Sequence, residues 1–164
     1  MPIFVAPIAG ALSDRIGGRQ LIATGLALQA VGLGWIAAVS TPTTPYADLI
    51  GPFMLSGIGM ALFFAPVANV VLSAVRPIEE GKASGANNTI RELGGVFGVA
   101  VLAAVFAHMG GYDSLESFSD GMNTAVLVGA GVVALGAIAA FAMPARLRPA
   151  DVHADAAPAL EEAA

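Results

Sequence analysis

The stretch "QLIATGLALQAVGLGWIAAVSTPTTPYA", Gln20 to Ala47, decides what kind of chain this is. It carries no charged side chain over 28 residues, and about 20 apolar residues suffice to take a helix across the hydrocarbon core of a bilayer. Three more runs of this kind follow, Leu49 to Val75, Leu93 to Tyr112 and Gly121 to Ala145. The whole chain of 164 residues is 57 % hydrophobic and 12 % charged, with a mean hydropathy of +0.79. A soluble domain carries about one quarter charged residues, so this surface is made for lipid, and the bilayer is its first partner.

Before the long runs stands "MPIFVAPIAGALS", 13 uncharged residues. As a helix it rises only about 20 Å, against a core of roughly 30 Å, and it reads as half a span. No base precedes it and no small-residue cleavage pattern follows, which separates it from a signal peptide. The expected fold is an all-α membrane protein with one partial and four full spans, at about 1–13, 20–40, 48–75, 84–109 and 121–144. These form one transmembrane unit over residues 1–145. The remainder, 146–164, holds Asp151, Asp155, Glu161 and Glu162 with no base after Arg148, and reads as a disordered acidic tail. A unit that starts with half a helix is expected to have partner helices upstream of Met1. A complete small membrane protein that packs against another transporter is the alternative.

The bases sort by loop. Arg15 and Arg19 lie in the first, Arg76 and Lys82 in the third, Arg91 just beyond it, and Arg146 and Arg148 at the start of the tail. The intervening loops "STPTTPYAD" and "MGGYDSLESFSD" have none. Loops rich in Lys and Arg stay in the cytoplasm, so the base-bearing loops and the C-terminus are expected there, in a bacterial inner membrane.

Polar residues inside the spans mark candidate sites. Gln29 has Gly25 four residues before it and Gly32 three after it, a small-residue face that another helix approaches. It serves either an interhelical hydrogen bond or a cavity wall. Pro66 removes the amide that would bond the carbonyl of Leu62, and Asn69 and Ser73 share its face. Such a break lines a solute path or serves packing alone. In "ASGANNTIRELGGVFGVAVLAAVFAHMG", Arg91 follows Asn87 by four and precedes Gly94, Gly95 and Gly98 by three, four and seven. That spacing puts the guanidinium on a tight-packing face with a GxxxG pair at Gly94 and Gly98, away from lipid, where a central Arg costs roughly 3 kcal/mol. Glu92, on a face with Asn88 and Thr89, is either a proton carrier or a solvated partner for Lys82 or Arg76. The last run, "MNTAVLVGAGVVALGAIAAFAM", reads as a packing helix.

Nothing points to an enzyme. There is no cysteine, His108 and His153 stand apart, and no cluster has metal-ligand or nucleophile, base and acid spacing. No metal, cofactor or nucleic-acid partner is expected.

The loop "GALSDRIGGR" resembles the cytoplasmic loop signature of the major facilitator superfamily, roughly G-x-L-x-D-R-x-G-R-K. The match holds at Gly10, Leu12, Asp14, Arg15 and Gly17, with Gly18 where a base is usual and Arg19 in place of Lys. The later "GIGMALFFAPVANVVLSAV" and "ASGANNTIRELGGVFGVA", then one last span and a polar tail, look like the closing helices of fourteen-span drug:proton antiporters. The resemblance covers residues 1 to 145. It implies a cytoplasmic gating loop at Gly10, Asp14, Arg15, Gly17 and Arg19, and export of hydrophobic or cationic compounds driven by a proton gradient. Substrate would sit between two helix bundles near the membrane midplane. The family's proton-coupling acids belong to its N-terminal part, so no coupling residue carries over, and the chain alone is expected to be inactive. A carrier of another small solute is the variant within the same superfamily.

Overall fold

The computed structural model describes residues 18–73 and 75–142, with the side chains of Ala65, Ala68, Asn69 and Ser73 excepted. The half-span at 1–13, the loop residues Gly10, Asp14, Arg15 and Gly17, and the tail at 146–164 lie outside the described residues. Four α-helices follow one another: α1 at Gly18–Val39, α2 at Tyr46–Ser73, α3 at Glu80–Met109 and α4 at Leu115–Ala142, with a 3-10 turn at Pro77–Glu79 before α3. All four contain a stretch long and apolar enough to cross a membrane; in α2 it is Tyr46–Phe64. They run antiparallel in succession, so one end gathers Arg19, Arg76 and Lys82 and the other gathers Asp48, Asp113, Glu116 and Asp120.

Helix ends follow local chemistry rather than the edges of the uncharged runs. The expected span at 121–144 starts six residues earlier as a helix, at Leu115. Ser114 accepts the amide of Ser117 through Oγ at 3.1 Å, and Glu116 sits in the first turn, where a carboxylate offsets the positive helix dipole. The expected start at 84 moves to Glu80, because Pro77 opens a 3-10 turn that feeds directly into α3. Between α1 and α2 the loop satisfies its own backbone. Thr44 donates Oγ1 to the carbonyl of Val39 at 2.7 Å and accepts the amide of Thr41 at 2.8 Å.

α1 lies between α2 and α4. Ile22, Ala23 and Ala140 are buried there, with Leu26, Phe63, Val67 and Val70 packed over them. The α1 and α2 backbones approach closely enough to exclude side chains. A Cβ on Gly59 would stand 2.5 Å from the amide nitrogen of Gln29, and one on Gly25 would stand 2.8 Å from the carbonyl oxygen of Gly59. In membranes, small residues give dispersion packing its closest range. α4 turns a row of small residues inward, with Ala125, Ala130, Ala137 and Ala140 buried.

α3 differs from the others, since none of its residues is buried. It joins α4 where Gly110 meets Gly121, with a Cβ on Gly110 falling 2.5 Å from the Gly121 Cα. Phe106, Tyr112 and Phe118 cluster beside that junction, ring centroids 5.3 to 6.0 Å apart. Toward its start α3 is left largely uncovered among the described residues.

Candidate functional site in a cleft between the second and third helices

A cleft of about 270 Å³ separates α2 from the first half of α3, lined by Phe63, Phe64, Val67, Asn87, Ile90 and Arg91. Arg91 stands eleven residues into α3, about 16 Å along its axis at helical rise. The sequence carries no other base between Lys82 and Arg146. Its Nη2 donates to Oδ1 of Asn88 at 2.8 Å and lies 3.4 Å from Oε1 of Glu92. Glu92 therefore meets its own neighbour in place of Lys82 or Arg76, the partners in one of its two expected roles. Arg76 instead sits 3.7 Å from Glu79, both well exposed, a pair of small energetic worth. The sequence separation explains the exchange: Arg91 is one residue away, whereas Lys82 is ten residues and nearly three turns back.

The opposite wall is aromatic. Phe63 and Phe64 meet edge to face, centroids 5.4 Å apart, and Phe63 and Val67 also border a second, almost wholly apolar groove of about 390 Å³ between α1, α2 and α4. Pro66 lies one residue before Val67 and is fully buried, as is Pro52. α2 remains one helix through both prolines. Asn69 lies in the next turn, and its side chain is outside the described part.

The structure thus brings together Asn87 and Arg91 of the expected residues, and sets Asn88 and Glu92 on the guanidinium. Gln29 does not line this cleft: its backbone sits in the α1/α2 seam against Gly59, as the flanking Gly25 and Gly32 suggest, and its side chain is partly buried. Gly94 and Gly98 were expected to pack against a helix. A Cβ on either, or on Gly95, meets nothing within 4 Å among the described residues, and neighbouring Phe97 is 67 % exposed. A GxxxG pair specifies a face and not its occupant, and no described helix occupies this one.

Of the signature loop only Gly18 and Arg19 are described, at the start of α1. The Arg19 guanidinium donates through Nη2 to the carbonyl of Phe141 in the last turn of α4. The carbonyls ending a helix lack intrahelical partners and carry the negative end of its dipole, so the base closes α4. Sequence reading missed this contact, and it missed Asn123, whose Nδ2 donates to the Ser40 carbonyl at 2.7 Å. An amide at the edge of the last apolar run was the available signal. It missed the Phe63, Phe64 and Ile90 wall as well, because apolar side chains in a span carry no mark of which cavity they face.

A family model described as Major Facilitator Superfamily matches residues 1–163. The cephamycin export protein CmcT of Amycolatopsis lactamdurans is 39 % identical over 94 residues, 57 % of this chain and 19 % of that protein. The uncharacterized MFS-type transporter YcnB of Bacillus subtilis is 31 % identical over 155 residues, 90 % of this chain and 32 % of that protein. The multidrug export protein EmrB of Escherichia coli K12 is 25 % identical over 108 residues, 66 % and 21 % respectively. The chain thus spans between about a fifth and a third of the length of these relatives. No solved structure matches it.

Proposed function

The chain belongs to the major facilitator superfamily, and from that premise we propose that it forms the C-terminal helices of a proton-coupled exporter of hydrophobic compounds. The observation that carries this reading is the cleft holding Asn87 and Arg91 on a helix with no buried residue. A guanidinium inside a bilayer-crossing segment needs a protein face, a wet cavity or a partner, and an aromatic and aliphatic wall suits an apolar solute. Relatives described as exporting cephamycin and multiple drugs support export as the direction of transport.

In this reading the open face of α3 meets further helices of the same transporter, and the cleft is one wall of a site closed by both bundles. The end bearing Arg19, Arg76 and Lys82 faces the cytoplasm of a bacterial inner membrane. Energy comes from inward proton flow, with the proton carriers elsewhere in the transporter.

Efflux of a lipophilic dye from cells expressing the complete reading frame tests the proposal. Export should collapse when a protonophore is added, and residues 1–164 expressed alone should export nothing. Efflux that ignores the protonophore overturns the coupling. Efflux by the 164-residue chain alone overturns the need for further helices.

A further inference from the structure

We propose that the α2/α3 cleft selects hydrophobic compounds carrying an anionic group, a carboxylate or sulfonate, with Arg91 as its anchor and Glu92 as an internal competitor. The inference rests on the export reading and sharpens its cargo: the resemblance to drug antiporters implies hydrophobic or cationic compounds, and the cleft has the chemistry for the opposite charge. Among its lining residues the one ionised side chain is Arg91, beside the neutral amide of Asn87 and the rings of Phe63 and Phe64.

The donor arithmetic favours an anion. A guanidinium has five N–H donors in a planar fork. Both polar contacts of Arg91, to Asn88 and to Glu92, use Nη2. Among the described residues Nη1 and Nε meet no acceptor. Each edge on which a guanidinium grips a carboxylate in pairs joins Nη2 to Nε or to Nη1, so a ligand oxygen that takes the place of Glu92 on Nη2 sets its second oxygen on one of the free donors. An ammonium head would find a cation there instead.

Glu92 is the test already built into the molecule. Its Oε1 lies 3.4 Å from the guanidinium, with side chains 57 % and 69 % exposed, so the pair is loose and open to exchange. Consecutive residues on a helix point about 100° apart, and Glu92 does not line the cleft. It reaches Arg91 from the side, where an incoming carboxylate can displace it without a rearrangement of α3.

Three ligands on one skeleton separate the possibilities: 4-phenylbutyrate, its methyl ester and 4-phenylbutylamine, radiolabelled and bound at equilibrium to the complete transporter in lipid nanodiscs. The carboxylate should bind about tenfold more tightly than either of the others, the worth of one charge-assisted pair. Arg91→Gln should erase the carboxylate's advantage over the ester, and Arg91→Lys should restore part of it. Glu92→Gln should tighten carboxylate binding severalfold by removing the competitor. That gain keeps the proposal exposed even if Arg91→Gln fails to fold. Equal binding of acid and ester, tighter binding of the amine, or weaker carboxylate binding in Glu92→Gln each overturns the assignment. Proteoliposomes that export the ester or amine but not the acid would refute the anion site and leave the exporter standing. Failure to move any of the three while the acid still binds by way of Arg91 would strike the export reading alone.

Discussion

Asn123 of α4 donates its side-chain amide to the main-chain carbonyl of Ser40, just past the end of α1, across 83 residues of sequence. With Arg19 donating to the Phe141 carbonyl at the opposite end of the same two helices, α1 and α4 are tied at both ends. The two ties close orphan carbonyls beyond or at helix C-termini, which have no partner of their own.

Asn123→Ala should lower stability by about 1 kcal/mol, the net worth of one interhelical hydrogen bond. Asn123→Asp should cost more. The Oδ1 of Asn123 is buried with no partner among the described residues, and a carboxylate would set a second acceptor against the Ser40 carbonyl. Thermal unfolding of the purified protein in detergent ranks the variants, and an Asp variant as stable as wild type would show that the tie is dispensable.

Replacing Arg19 acts at the other end. Arg19→Ala should cost about 0.5 kcal/mol, the range for a cation at a partly exposed helix C-terminus, and Arg19→Lys less. The sharper readout is local: amide exchange in the last turn of α4 should speed up in Arg19→Ala while the middle of the helix stays protected. Uniform acceleration along α4 would mean that the contact supports the whole helix and not its end.

Two glycines of α2, two residues apart, should respond oppositely. Gly59→Ala puts a methyl 2.5 Å from the Gln29 backbone and should destabilise by about 2 kcal/mol, as overpacking between backbones does. A Cβ on Gly57 meets nothing within 4 Å among the described residues, so Gly57→Ala should be neutral or slightly stabilising through helix propensity. Melting temperatures of the pair decide it, and equal shifts would contradict the close approach.

The face of α3 carries a prediction of a different kind. A Cβ on Gly94 meets nothing within 4 Å among the described residues, so with Gly94→Leu the four-helix unit should fold and insert as before. Efflux by the complete transporter should nonetheless fall at least about tenfold if further helices seat on that face. Normal efflux at normal expression would leave the glycines facing lipid.

Residues 1–164 contain no cysteine, so introduced thiols can report the topology of these helices. Single cysteines at Arg76 and Asp113 should label from opposite sides of the membrane, the first from the cytoplasmic side. Both reacting with an impermeant reagent added outside would refute the arrangement of the helices.

The membrane class, the four long spans and their alternation were legible in the sequence because they depend on local quantities. An uncharged run of sufficient length becomes a helix wherever water is excluded, since no other partner exists for its amides. Arg15, Arg19, Arg76 and Lys82 carry an expectation of sidedness for a similar reason, each being costly to translocate wherever the helices later settle. Gly25 and Gly32 announced a close helix approach around Gln29, and the α1/α2 seam bears that out.

What the helices touch belongs to the tertiary structure. Spacing placed Arg91, Gly94 and Gly98 on one face, but whether that face is filled depends on surfaces far away in sequence, and among the described residues it is open. Glu92 could have paired with any base near that membrane edge, and the helix geometry brings it to Arg91. Phe63 became part of a cleft wall, and Asn123 and Arg19 each came to anchor one of two ties between α1 and α4, because antiparallel packing set residues 83 and 122 positions apart in contact. Contacts of that range are fixed by the mutual fit of whole helices, and local periodicity carries no record of them.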